Sequence, residues 1–123
     1  MSEPLPAELR EFLENHIDSI AQLEALLLLR DAPRVVWDVR ATAMRLYVGE
    51  QEAFSALAHL ATRGLITRSE SRYTFDPQSE ELSRGCVLLA EYYRAYLIPI
   101  TNLIHAKPRR IQQFADAFKL KKD

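Results

Sequence analysis

The chain opens on apolar positions at helical spacing. Leu9, Phe12, Leu13 and Ile17 fall on one face, which predicts an N-terminal helix with Pro6 in its first turn. Ser19, with Gln22 three residues on, reads as a capping box for the next helix, Ile20 to about Arg30. That helix is apolar almost all round through Leu26, Leu27, Leu28 and Leu29, so it belongs in the middle of a core. Asp31-Ala32-Pro33 stops it.

The pattern then shortens. Val35-Val36-Trp37 is a β-prone run, and Asp38 is a good N-cap for a short helix over Val39 to Leu46. Ala41, Met44 and Leu46 are its candidate inward positions. Tyr47-Val48-Gly49 makes a turn. A longer helix runs from Glu50 to Arg63 with Ala53, Ala56, Leu57 and Leu60 on one stripe. Gly64 sits just past its end, where glycine adopts the left-handed conformation cheaply. Leu65-Ile66-Thr67 and Arg72-Tyr73-Thr74-Phe75 read as strands of a hairpin turned at Arg68 to Ser71.

From Asp76-Pro77 the pattern predicts a long helix. Leu82, Cys86, Leu89, Tyr93, Tyr96, Ile100 and Leu103 alternate at spacings of four and three, a heptad seam that predicts a homodimer interface. Pro99 falls inside it and should kink or break it. Lys107-Pro108 marks another break, and a last amphipathic helix carries Ile111, Phe114, Ala115 and Phe118 on one face. The expected organisation is one compact domain: an N-terminal helix over 1–18, a central unit over 19–76, and C-terminal dimerisation and basic helices over 77–123.

Composition narrows the class. With 123 residues, 48% apolar and 27% charged, the chain has the proportions of one globular domain and not of a disordered or fibrous protein. The single cysteine, Cys86, allows no intrachain disulfide and fits a reducing compartment. It reads as a packed apolar residue. The N-terminus has no secretory pattern, and the apolar run at Leu26–Leu29 is far short of the ~20 residues of a membrane span. A cytoplasmic protein is expected.

His16, His59 and His105 lie apart without ligands at metal spacing, so no metal is expected. Three glycines make no phosphate loop, and no cofactor is expected. Glu80 and Glu81 complement a helix dipole, so nothing here points to an enzyme. Tyr92, Tyr93 and Tyr96 could line a pocket for an aromatic ligand or serve core and dimer packing.

The short helix, tight turn and second helix form a helix-turn-helix, with the hairpin directly after it and Trp37 placed to give a third strand. The stretch RVVWDVRATAMRLYVGEQEAFSALAHLATRGLITRSESRYTF, Arg34 to Phe75, resembles the winged-helix domains of small bacterial transcription regulators, loosely of the MarR type. Its ending LATRGLI is the most family-like piece. The C-terminal stretch IHAKPRRIQQFADAFKLKKD also resembles the ends of small bacterial proteins, a likeness that carries no function. The resemblance implies a mainly α fold: a winged helix-turn-helix with a small hairpin wing, flanked by an N-terminal helix and long C-terminal helices. It also implies a homodimeric, DNA-binding transcription regulator.

In such domains the second motif helix enters the major groove. Gln51, Glu52, Phe54, Ser55, Ala58, His59 and Thr62 are left facing outward there. No Arg or Lys occurs from Glu50 to Thr62, although arginine on guanine is the commonest specific contact. Candidate nucleic-acid contacts are therefore Gln51, Ser55 and His59 on the helix, Arg68 and Arg72 in the hairpin, and Arg109 and Arg110 in the tail.

Charge supports that division. The 16 basic and 17 acidic residues give a net charge of -1, but 10 of the acidic ones fall in residues 1–66, against 6 basic. Residues 107–123 hold 6 basic and 2 acidic side chains. Phosphate contacts are expected from the hairpin and tail, with steep salt dependence. The alternative is a winged-helix module that binds a protein partner through Phe54 and the acidic helix face.

Overall fold

Residues 5–107 are the part of the chain that the computed structural model describes. Helix α1 (Ala7–His16) buries Leu9, Phe12 and Leu13, the face that its spacing predicts. Pro6 stands at its N-cap rather than inside the first turn, and its carbonyl accepts from the Arg10 amide. Helix α2 (Ile20–Asp31) begins at Ser19, whose hydroxyl accepts from the Gln22 amide at 3.1 Å. The reciprocal arm falls one residue early: Gln22 Oε1 accepts from the Asp18 amide at 2.7 Å. Leu23, Leu26 and Leu29 of α2 are fully buried, so this helix is the centre of the core.

Helix α3 (Val39–Leu46) starts at Asp38, whose carboxylate accepts from the Ala41 amide at 2.7 Å. Its buried face is Thr42 and Ala43, and Met44 points to solvent, against the expectation that Met44 faces inward. The inward stripe is Val39, Thr42, Ala43 and Leu46, spaced i, i+3, i+4 and i+7, and Met44 falls off it. Its end is left-handed at Tyr47, with φ 59°, and both the Tyr47 and Val48 amides reach back to the Ala43 carbonyl. Helix α4 (Glu50–Thr62) buries Ala53, Ala56, Leu57 and Leu60 against α2 and α3.

Gly64, at φ 78°, ends α4 in a Schellman arrangement. The Leu65 amide donates to the Leu60 carbonyl and the Gly64 amide to that of Ala61. Leu60 and Leu65 are both fully buried, which fixes the direction in which the chain leaves the helix.

Strands β1 (Ile66–Ser69) and β2 (Arg72–Phe75) form an antiparallel hairpin in which Ile66 faces Phe75 and Ser69 faces Arg72. The second strand has its expected bounds; the first starts one residue later than expected and runs two residues further, so the turn shrinks to Glu70-Ser71, with Glu70 at φ 57°. Trp37 adds a single bridge, its carbonyl accepting from the Tyr73 amide at 2.7 Å, rather than a full third strand. The Trp37 indole is buried and donates to the Ala32 carbonyl, which holds Val35 and Val36 outside.

Helix α5 (Glu80–Tyr92) starts later than Asp76-Pro77, because Ser79 provides the cap by accepting from the Leu82 amide. Residues 93–96 are a turn, and helix α6 spans 97–107 of the described residues. Pro99 thus lies in the first turn of α6, where its missing N–H costs little. Gly85 of α5 lets the Phe12 ring of α1 lie directly on the helix backbone. The molecule is therefore mainly helical with one small hairpin.

Candidate nucleic-acid interface

The outer surface formed by α3, α4 and the hairpin carries three guanidiniums. Arg40 stands on the exposed side of α3, and Arg68 and Arg72 on the hairpin. Arg68 faces Tyr73 across the strands and its Nε donates to the Glu70 carbonyl at 2.6 Å, which fixes the side chain over the turn. Arg40, Phe54, Arg68 and Tyr73 line one shallow cavity of about 240 Å³. The lining joins two aromatic rings with a cation from the helix side and one from the hairpin side, together with the Asp38 carboxylate that caps α3. Phe54 is 44% exposed at this site.

The structure divides the expected site residues. Gln51 and Ser55 are exposed on α4, where the sequence places them. His59 is not. It is half-buried, and its Nε2 donates to the His16 carbonyl at 2.7 Å, with Asp18 Oδ2 at 3.8 Å. The C-terminal half of α4 is occupied by the α1–α2 corner, so His59 belongs to an internal junction and not to the outer face. Arg109 and Arg110, with the predicted last helix, lie outside the described residues. Arg40 is a surface cation that sequence reasoning passed over; its signal was a charged residue two positions after the Asp38 cap, off the apolar stripe of α3.

The internal junction is the most polar place in the fold. Lys107 is 8% exposed; its Nζ donates to the carbonyls of Leu13, Glu14 and Ile17 and forms an ion pair with Asp18 Oδ1 at 2.5 Å. It thereby caps the C-terminus of α1 from the last described residue of α6. Burial alone would raise the Asp18 carboxyl, but the Lys107 hydrogen bond and charge, with His59 and Arg63, bring it below its ordinary value. Burial, followed by the Arg63 charge, lowers the His16 imidazole; Glu81 acts the other way.

The expected dimer seam needs correction. Cys86, Leu89 and Ile100 are fully buried in the chain's own core, so they have no surface to offer a partner. Leu82, Tyr93, Tyr96 and Leu103 are half-buried and pack on that core. The heptad spacing reflects α5 and α6 folding onto α1 and α2, because the turn at 93–96 breaks the long helix into two. Val87, Leu97 and Ile98 are the large apolar side chains these helices leave outside. Burial pushes the Cys86 thiol up to about 12 against the opposing Arg30 charge, so it stays protonated and packs as an apolar group. Tyr92 and Tyr96 stack on each other with ring centroids 5.6 Å apart, and Tyr93 lines a separate pocket.

Among the described residues no cluster of three or more His, Cys, Asp or Glu could hold a metal ion, and no helix is long and apolar enough to cross a membrane. No family model matches the chain, and neither the curated proteins nor the solved structures contain a significant match to it.

Proposed function

We propose that this chain is a winged helix-turn-helix DNA-binding regulator that works as a homodimer. The observation that carries the reading is the cavity in which Arg40 of α3 and Arg68 of the hairpin flank the exposed start of α4. In a winged helix these three parts meet the duplex together. Arg40, Arg68 and Arg72 would hold phosphates, which gives position but no sequence information. Gln51 is the one exposed α4 residue suited to a bidentate contact, with an adenine edge. A second copy would cover Val87, Leu97 and Ile98 and set two such faces side by side.

Titration of fluorescent duplexes across salt concentrations tests the reading. Binding should weaken steeply with salt. Arg68→Gln and Arg72→Gln should weaken all duplexes alike and each lower the salt slope by about 1. Gln51→Ala should change the preference between duplexes. The reading fails if no duplex binds at low salt.

One observation favours a protein partner instead. Phe54 is exposed beside Glu50 and Glu52 on a helix without a cation from Glu50 to Thr62. Aromatic residues anchor protein interfaces more readily than they meet phosphates. In that case Phe54→Ala, and not the arginine variants, would abolish the interaction.

A further inference from the structure

We propose that the pocket between α2, the end of α3 and the end of α5 binds a small phosphate monoester with a compact apolar body, held by Arg45 and Arg94. This site is separate from the face formed by α4 and the hairpin, and it does not rest on the DNA-binding reading. The cavity measures about 520 Å³, within the range of small-molecule sites. Its floor is apolar: Leu27 and Leu28 from α2, Leu46 from α3 and Ala90 from α5. Such a floor beside charged groups suits a ligand with one apolar and one ionic end.

The ionic end is defined by which charges are already matched. Arg30 also lines the pocket, but its Nη1 pairs with Asp31 at 3.3 Å. Arg45 and Arg94 have no hydrogen bond or ion pair among the described residues. Two uncommitted guanidiniums on one cavity match the roughly −1.5 to −2 charge of a phosphate monoester. A monocarboxylate would neutralise only one of them. The planar fork of arginine also suits phosphate oxygens geometrically. Tyr93 adds a hydroxyl that burial and the Glu24 charge keep protonated, and therefore able to donate. Glu24 and Asp31 are the acidic groups of the lining; Asp31 pairs with Arg30, and Glu24 makes no ion pair among the described residues. Its exposed carboxylate lowers affinity for any anion placed there.

The opposing signs of Glu24 and the two arginines give the test. Calorimetric titration of the full chain with phenyl phosphate is compared with phenol and with inorganic phosphate. Phenyl phosphate should bind at least about tenfold more tightly than either half, because both ends of the cavity are then filled. Arg45→Gln and Arg94→Gln should each weaken binding about tenfold, and Glu24→Gln should strengthen it. All three side chains are on the surface, and a thermal melt verifies that each variant folds. Should an arginine variant fail to fold, tightening by Glu24→Gln still distinguishes the charge-based site from a purely apolar one. The proposal is overturned if phenyl phosphate gives no heat at millimolar concentration. It is equally overturned if phenol binds as well as phenyl phosphate, or if Glu24→Gln leaves affinity unchanged.

Discussion

The Arg63 side chain brings Nε and Nη2 to 3.1 and 3.0 Å from the Nδ1 atom of His16. A guanidinium only donates, so His16 Nδ1 accepts and the ring is neutral with its proton on Nε2. Protonation would turn Nδ1 into a donor and set a cation against Arg63, with Lys107 and His59 adding to the repulsion and Glu81 opposing it. The contact joins the end of α1 to the end of α4, two elements far apart in sequence.

A pH dependence follows from the lowered imidazole. The unfolded chain takes up this proton near pH 6.5, and the folded chain only at lower pH. Stability from neutral His16 is thus complete above about pH 6.5 and is lost as pH falls from there through the lowered folded value. Asp18 behaves separately. Its carboxyl is lowered in the fold, so its contribution is complete above the ordinary value of 3.8 and is lost only as the pH falls from there through the lowered folded value. Thermal melts should show Tm falling between pH 7.5 and 5, and His16→Gln should flatten that slope. A wild-type Tm that is level across this range refutes the assignment.

Lys107 offers a sharper stability test. Its ammonium satisfies three carbonyls at the end of α1 and the Asp18 carboxylate. Lys107→Met keeps most of the apolar stem but removes the ammonium donor from the Glu14 and Ile17 carbonyls and the Asp18 carboxylate, while the Leu13 carbonyl keeps the Ile17 amide. A loss of roughly 2–3 kcal/mol is expected, since each buried group left unpaired costs about 1–3 kcal/mol and half-exposed Asp18 recovers water. Urea denaturation measures it. A change below about 0.5 kcal/mol, the size of an ordinary surface substitution, would mean that the cap contributes nothing.

Helix-forming spacing, caps and the glycine stop are local signals, and they are legible in the sequence. Ser19, Asp38 and Gly64 each do what their residue type implies. The tertiary destination of a face is not local. The seam from Leu82 to Leu103 has the period of an intermolecular contact, but Gly85 and the 93–96 turn fold it inward onto α1 and α2. His59 shows the same limit. Periodicity puts it on the outer side of α4, and only the arrival of the His16 carbonyl makes it internal. The outward positions of Gln51, Phe54 and Ser55 were readable because the first half of α4 has no such neighbour.

The contact between Gly85 and Phe12 yields the next prediction. A Cβ at position 85 would overlap the Phe12 ring, so Gly85→Ala must push α1 away from α5. The expected cost is about 1–3 kcal/mol, typical of overpacking, despite the better helix propensity of alanine. Combining it with Phe12→Leu should shrink the penalty, because the smaller side chain vacates the overlapped volume. A double-mutant cycle by chemical denaturation reads the coupling directly. Strict additivity of the two changes would separate the glycine from the ring.

Tyr47 predicts a change of the opposite sign. It holds the left-handed conformation at φ 59° between α3 and α4, where glycine is the usual residue, and it is 95% exposed. A non-glycine side chain in that region costs roughly 1–2 kcal/mol, and an exposed ring recovers little of it through packing. Tyr47→Gly should therefore stabilise the fold by about 0.5–1 kcal/mol, after the greater freedom of glycine in the unfolded chain is set against the relieved strain. Tyr47→Ala keeps the strain and should give no such gain, so the difference between the two variants isolates the backbone effect from loss of the ring. If the turn lies against DNA, the stabilised Tyr47→Gly chain should also bind duplex less tightly than wild type, since a strained exposed aromatic persists where function retains it. Equal or higher Tm together with unchanged duplex affinity would assign Tyr47 no part in that face.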